Sequence, residues 1–590
     1  MAPIEESRGE VMGRVFNALW RESFASSRRR ARVCGEGGGD FAVVTLAGGV
    51  EVMGRLDDAR SLETLSTSPP YYVRFRQSGS IEELTDADQL AALLPAGPDS
   101  VSRLCEEVGQ SVRNMAIFLE RSDERLGELP GRPGQGALAR AFGRARFRGC
   151  RPEEYIESWV LRGHALHPGA KTRLGFSAAD VERYSPELGR QVGLRFMAVR
   201  KTHLVDSRSV SADSSYPAAW AAAFEDSFRR RSLPSSDFEV LPVHPWQWSN
   251  VLKGMFKAEL ERGVLVPLDA VVEAQPLASL RTLAPLGDLH APQLKLPLAI
   301  QATSVPRTIT PPTVENSPRL ADLLGRILDR TPDLARLVSL SPETRGAHFQ
   351  EPGAPADAEK SRHLTMLLRR RPERRPGTWL VPNVVLAELS PLDGRPFVSE
   401  LVERAGGDAL SYFRDYVLLS SRVTLGLLAR FGLGIEAHAQ NTLTYHRRGT
   451  PADWVLRDFG GMRIDRRRLR EAGLDVELHP GTLMETRDDL ELVSSFHHCL
   501  LQGNLAPLAG ALAGAFGVPE AELWRAGREA ARAAWEEQRA FIGGERGDEL
   551  GGLLFRPRVV VKALTRMRLS DEPWRDEFCE VENPLADTVS

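Results

Sequence analysis

The strongest constraint on the fold is that the chain changes texture twice. Residues 1–154 mix helix with a short β unit. FAVVTLAGGVEVMGRL reads as strand, Gly-Gly turn, strand, and CEEVGQSVRNMAIFLERSDERLGEL carries Val108, Val112, Met115 and Leu119 at helical spacing. PGRPGQG then breaks the pattern. Residues 155–401 are rich in Pro and in short β-like runs, among them GLRFMAVRKTHL, FEVLPVHPWQW, LKLPLAIQATSVPRTIT and TWLVPNVVLAEL. SPETRGAHFQEPGAPADAEKSRH has little periodicity and reads as exposed loop. Residues 402–590 are mainly helical. FRDYVLLSSRVTLGLLARFG has a broad apolar face and stops at Gly432, and ELVSSFHHCLLQGNLAPLAGAL and PEAELWRAGREAARAAWEEQRAFI follow. Helical and β-like stretches thus both make up much of the chain, and the expected fold class is α+β. At 590 residues it exceeds one compact core.

Composition excludes several classes of partner. A net charge of −3 removes the electrostatic case for nucleic acid, and the Arg-rich patches RRRARVC and RRRPERRP are local. The five cysteines form no CxxC pair, which argues against a disulfide scaffold or zinc ribbon and suits a reducing cytoplasm. The first residues, MAPIEESRGEVMGRVFNALW, lack the basic start and apolar run of a signal peptide, and no apolar run has the length of a membrane span. The expectation is a cytoplasmic protein, without membrane or nucleic-acid partners, that acts on small molecules.

Four stretches carry groups suited to chemistry. In GHALHPGAKTRLGFS, His164, His167, Lys171 and Arg173 stand between glycines. Lys and Arg there suit phosphate oxygens, although a solvated turn has the same composition. QLKLPLAIQATSVPRTITPPTVENSPRL delivers Thr303, Ser304, Arg307 and Thr308, then Asn316 and Arg319, a second anion cradle beyond a strand. GIEAHAQNTLTY crowds Glu436, His438, Gln440 and Asn441 together. On a strand, Glu436, His438 and Gln440 would line one face; a strand with one wet face alternates in the same way. In VLRDFGGMRID, Arg457 and Asp458 end an apolar run before two glycines. Glu436, Asn441 and Asp458 together offer hard oxygen ligands for Mg²⁺, a nucleotide supplying the rest. No GxxxxGK[ST] loop, HExxH helix or GxSxG elbow is present. RDFGG and HAQN also have a kinase flavour, but no GxGxxG loop and VAIK-type strand precede them.

Taken in order, HPGAKTRLGFS, KLPLAIQATSVPRTIT, EAHAQNTLTY and RDFGGMR resemble the signature blocks of the IucA/IucC family, synthetases of siderophores that work without non-ribosomal peptide synthetases. VHPWQW, ENSPRL and KALTRMRL extend the resemblance over residues 155–585, with Ser317 standing where family members commonly carry Gly. The resemblance implies a hand-like fold: a mostly helical thumb (1–154), β-rich fingers (155–401) and a largely helical palm (402–590), with ATP between fingers and palm. It implies adenylation of a polycarboxylic acid, citrate or a citryl derivative, by ATP with Mg²⁺. An amine or alcohol then condenses with the product, releasing AMP and pyrophosphate, and a homodimer is expected.

The same resemblance assigns residues. His167, Lys171, Arg173, Thr303, Ser304, Arg307, Thr308, Arg319, Gln440 and Asp458 would serve ATP. Glu436, Asn441 and Asp458 would serve Mg²⁺, and His438, Gln440, Arg457 and Lys562 the acid, with His438, Arg307 and Lys171 catalytic. The competing readings are a kinase-like phosphotransferase that releases ADP and a non-catalytic carboxylate binder.

Overall fold

The computed structural model describes residues 2–586 apart from 34–38, 128, 130, 132, 133, 212, 214, 303, 304, 356–358, 571, 573 and 574. Helices and sheets are both extensive, as the α+β expectation requires. The N-terminal part holds more strand than its sequence suggested. Helix Pro3–Arg21 is followed by a five-stranded antiparallel meander, then by helix Pro98–Leu126. The expected hairpin is its second and third strands, Gly39–Thr45 and Val50–Ala59, and the turn takes Gly48 and Gly49 to φ +76° and +77°. Val108, Val112, Met115 and Leu119 are buried, as their helical spacing predicted. The PGRPGQG break lies partly outside the described residues.

The middle of the chain builds a nine-stranded sheet whose paired strands are antiparallel. Two readings change here. LKLPLAIQATSVPRTIT is not one strand. Gln293–Lys295 belongs to the large sheet, and after Pro297 the chain forms a separate pair, Leu298–Ala302 with Val305–Arg307. Pro lacks the N–H that a ladder needs, so the break falls there. The supposed exposed loop SPETRGAHFQ contains Glu343–Phe349, an inner strand of the sheet buried along its whole length. Its charges hid it: Arg345 pairs with Asp206 and Glu239, and Glu343 with Arg369 and Lys295. Gly346 lets helix Pro311–Arg330 approach, since a Cβ there would overlap the Val314 carbonyl.

The last part carries helix Ala409–Phe431, which stops at Gly432 with φ +67° as expected. Beside it lies a four-stranded sheet in the order Val338–Ser341, Thr450–Arg457, Thr442–Arg447, Thr378–Pro382. The helical run Asp489–Phe516 is long and apolar enough to cross a membrane by length and composition, which the sequence reading overlooked. Its Leu492, Leu500, Leu501, Leu505, Leu508 and Leu512 are buried in the protein's own core.

Two large apolar cores result. One joins Val15, Phe16 and Met115 to Leu194, Phe196 and Leu283 of the nine-stranded sheet. The other joins Trp159 and Leu323 to Tyr416, Trp454, Leu500 and Trp535. The first core therefore spans the expected thumb–fingers boundary, and the second takes in residues from all three expected parts.

Candidate functional site

The crowded segment is not a strand. Leu433–Gly434 pairs with Arg463–Ile464, the chain then leaves the ladder, and a 3₁₀ turn, Ala439–Asn441, leads into Thr442–Arg447. Glu436, His438 and Gln440 therefore do not share a face by alternation. Side chains from elsewhere hold the loop. Asn504 donates to the Ala437 carbonyl (3.0 Å) and to Thr442 Oγ1 (3.2 Å), and accepts from Tyr416 (2.8 Å). Thr442 Oγ1 in turn donates to the His438 carbonyl at 3.2 Å. Asn504 lies in a π-helical turn, Phe496–Leu505, whose Gly503 backs His438: a Cβ there would sit 3.1 Å from that of His438.

Glu436, Asn441 and Asp458 are brought together, as the sequence predicted. They line one cavity of about 10 Å³ with Ile435, Leu456, Arg457, Phe459 and Met462 among its walls. Asp458 occupies the left-handed region, φ +64°, at the start of a turn. Gly461 leaves room for the Glu436 carboxylate, which a Cβ there would overlap. Among the described residues Glu436 makes no side-chain hydrogen bond or ion pair, although Arg457 lines the same cavity. Asp458 has a counter-ion: Lys295 Nζ lies 2.7 Å from both its oxygens. Burial works to raise the Asp458 pKa, but Lys295, Arg369 and Arg281 hold its carboxyl well below the usual range. Among the described residues no three His, Cys, Asp or Glu side chains converge on a metal position. The donor set here, two carboxylates and an amide, suits a hard divalent cation that takes its remaining oxygens from a ligand.

Arg307, on strand Val305–Arg307, is pressed downward in pKa by burial and by the neighbouring cations Arg281 and Arg173, with Asp458 opposing. A guanidinium remains protonated at neutral pH, so this is a crowd of positive charge that an anion would relieve. Arg281 also braces the strand end, donating to the carbonyls of Arg307 (3.2 Å) and Thr308 (2.6 Å). Thr303 and Ser304 lie outside the described residues.

Four imidazoles gather beside this group. His438 is lowered in pKa by burial; Glu436 and Asp458 oppose this, and Arg457 and Lys562 add to it. His164 has an exposed surface yet is pushed down to about 4 by desolvation, Arg14, His438 and Arg21. His167 and His498 are also pushed well down, chiefly by burial. All four are neutral at pH 7, so each offers one donor and one acceptor.

Several predicted contacts are used differently. Lys171 is 4% exposed and its ammonium is held by Glu187 (2.7 Å) and the Val160 carbonyl (2.6 Å). Arg173 shares Glu187 at 2.9 Å. A buried cation requires a carboxylate, and Glu187 fills that role before any phosphate can. Arg457, expected on the acid, instead clamps the Gln440 carbonyl (3.0 and 2.8 Å) and pairs with Glu157 (2.6 Å). It positions the loop. Arg319 is half-exposed on helix Pro311–Arg330, reaching the Glu477 carbonyl (3.3 Å) and Glu315 (3.7 Å) rather than the Asp458 group. Ser317 lies within that helix and donates to Thr313, so no loop depends on a glycine there. Lys562 pairs with Asp576 at 2.9 Å, near His438 and His498.

Sequence reasoning missed Lys295, Arg281, Arg369, Glu343, Glu187 and Asn504. The one signal was a lysine or glutamate inside an otherwise strand-like or buried run.

Solved structures share this architecture. Petrobactin biosynthesis protein AsbB from Bacillus anthracis matches with a TM-score of 0.80 and 18% identity over 99% of this chain and 96% of its own. ATP-bound aerobactin synthetase IucA from Klebsiella pneumoniae matches with 0.76 and 20% identity over 98% and 99%. The fold is thus the one these solved structures share. In sequence, residues 153–388 match the IucA / IucC family and residues 410–575 a family described as ferric iron reductase FhuF-like transporter. An uncharacterized protein, y4xN, of Sinorhizobium fredii is 30% identical over 73% of this chain and 72% of its own length. Staphyloferrin A synthase of Staphylococcus aureus is 25% identical over 74% and 73%. The chain belongs to the IucA/IucC family, and its relatives include proteins named staphyloferrin A synthase and D-ornithine–citrate ligase in Staphylococcus aureus.

Proposed function

We propose that the protein is an ATP-dependent siderophore synthetase that adenylates a polycarboxylic acid, citrate or a citryl derivative, and condenses it with an amine or alcohol. The observation that carries this reading is the convergence of Glu436, Asn441 and Asp458 on one cavity beside neutral His438 and the Arg307–Arg281 pair. Carboxylate and ATP repel each other, so attack on the α-phosphate needs compensating charge held in fixed positions.

In the first step an oxygen of the acid bonds to the α-phosphorus and the bond to the β-phosphate breaks, releasing pyrophosphate. Arg307 meets the phosphate charge, and Arg281 fixes the strand end that carries it. A divalent cation at Glu436, Asn441 and Asp458 would add charge compensation at the phosphate oxygens. His438, neutral, donates one hydrogen bond to the acid and orients it; Asn504 and Arg457 fix the loop on which it stands. In the second step the nucleophile attacks the acyl carbon and AMP leaves. No protein nucleophile takes part.

The test is product analysis. Incubation with ATP, Mg²⁺ and a panel of acids, with hydroxylamine as trap, yields AMP and pyrophosphate, and the rate rises with citrate or a derivative. ADP as the sole nucleotide product assigns the chain to phosphotransfer instead.

A further inference from the structure

Behind Asp458 lies a charge cluster that this reaction does not use. Lys295 and Arg369 end two strands of the nine-stranded sheet and face Glu343 and Asp458. Lys295 Nζ is 2.7 Å from both Asp458 oxygens but 3.5 Å from Glu343 Oε1. Arg369 Nη2 is 2.8 Å from Glu343 Oε1 and 3.5 Å from Asp458 Oδ2. Lys295 and Arg369 touch the two carboxylates, with Arg281 a third positive charge acting on both, yet the contacts are uneven. One ammonium takes both oxygens of Asp458, while Glu343, 0% exposed, has Oε2 buried without a hydrogen bond. A buried carboxylate oxygen with no donor is unfavourable, and a lysine nearby on a flexible stem can relieve it.

We infer that Lys295 is a positioning residue that acts as resident counter-ion of the cation cavity and passes between two carboxylates. Without a divalent cation its ammonium neutralises Asp458. When the ion enters beside Glu436 and Asn441, Asp458 turns its charge to the ion, and the ammonium closes the 3.5 Å contact to Glu343. Glu343 thus gains a close ammonium as Asp458 gives one up; Arg369 already holds Oε1 at 2.8 Å, so the ammonium has to swing past that oxygen to reach Oε2, the one without a donor. The inference rests on the proposed cation role of Glu436, Asn441 and Asp458. It makes the lysine and the metal competitors for one carboxylate.

The experiment is Mn²⁺ alone titrated into the full chain without ATP, with free Mn²⁺ read by electron paramagnetic resonance. Lys295→Met binds Mn²⁺ about tenfold more tightly than wild type, and Glu343→Gln, which keeps the shape but weakens the second acceptor, several-fold more weakly. The double variant Lys295→Met/Glu343→Gln binds as tightly as Lys295→Met alone, because Glu343 acts through the lysine. Simple addition of the two effects would mean a uniform field and overturn the exchange, as would unchanged or weaker binding by Lys295→Met. Thermal unfolding gives a second readout: metal-free Lys295→Met melts below wild type, and Mn²⁺ raises its melting temperature by more. If Lys295→Met does not fold, unchanged affinity in Glu343→Gln overturns the inference by itself. No Mn²⁺ uptake by wild type overturns the cation assignment itself, whereas uptake with no dependence on Lys295 overturns only the exchange.

Discussion

At the scale of single residues, Arg307 and His438 carry the sharpest consequences. In the proposed reaction Arg307 would meet charge that grows as pyrophosphate departs. One such preorganised donor is worth about 3–4 kcal/mol, so Arg307→Ala loses on the order of a hundred- to a thousandfold in pyrophosphate release. The variant still folds, because removing one of three crowded guanidinium groups relieves repulsion from Arg281 and Arg173. Near-normal turnover in folded Arg307→Ala removes it from the site. Burial lowers the His438 pKa from its ordinary value, so in the proposed reaction it would orient the acid by a hydrogen bond rather than by charge. His438→Ala depresses acid-dependent pyrophosphate exchange and raises KM for the acid more than for ATP, and His438→Gln recovers part of the loss. Normal exchange with failed amine transfer makes His438 the base of the second step instead.

Among the elements, the turn after strand Thr450–Arg457 shapes the cavity lined by Glu436, Asn441 and Asp458, the proposed cation site. Asp458 enters it with a positive φ, and the turn passes under Glu436 at Gly461. A methyl at Gly461 overlaps the end of the Glu436 side chain, which has to move aside. Gly461→Ala therefore displaces Glu436, and the variant binds Mn²⁺ at least about tenfold more weakly while its circular dichroism stays native. Unchanged affinity means that Glu436 is not a ligand. The π-helical turn Phe496–Leu505 is the second decisive element. It places Asn504 on the loop carbonyl and Gly503 against His438, a register that a regular α-helix would not give.

Across the whole molecule, the buried neutral imidazoles set the acid limit of stability. His244 and His446 are pushed down to about 3 and His497 to about 4, in each case chiefly by burial. The unfolded chain protonates these groups near their ordinary value of 6.5, whereas the folded protein keeps them neutral. Stability is therefore full above that pH and falls below it, by up to about 1.4 kcal/mol per pH unit for each group, until the folded pKa is reached. The denaturation midpoint should drop steeply between pH 6.5 and 4. A flat midpoint over that window shows that these imidazoles take up protons while folded.

Local pattern was enough for part of this. Helix Ala409–Phe431 with its Gly432 stop, helix Pro98–Leu126 and the Gly48–Gly49 hairpin follow from periodicity and turn chemistry, which act within a few residues. The grouping of Glu436, Asn441 and Asp458 was also legible, because all three fall in short polar blocks around apolar strands. Long-range charge pairing was not. Lys295 and Asp458 stand 163 residues apart, and Lys171 meets Glu187 only because the loop folds back over it. The same pairing hid strand Glu343–Phe349, since a buried charge with a distant partner reads locally as an exposed one. The sequence by itself determined which residue types could hold a cation and an anion. The tertiary structure decided which of them are already neutralised, because a buried charge must find its counter-ion wherever the fold brings one.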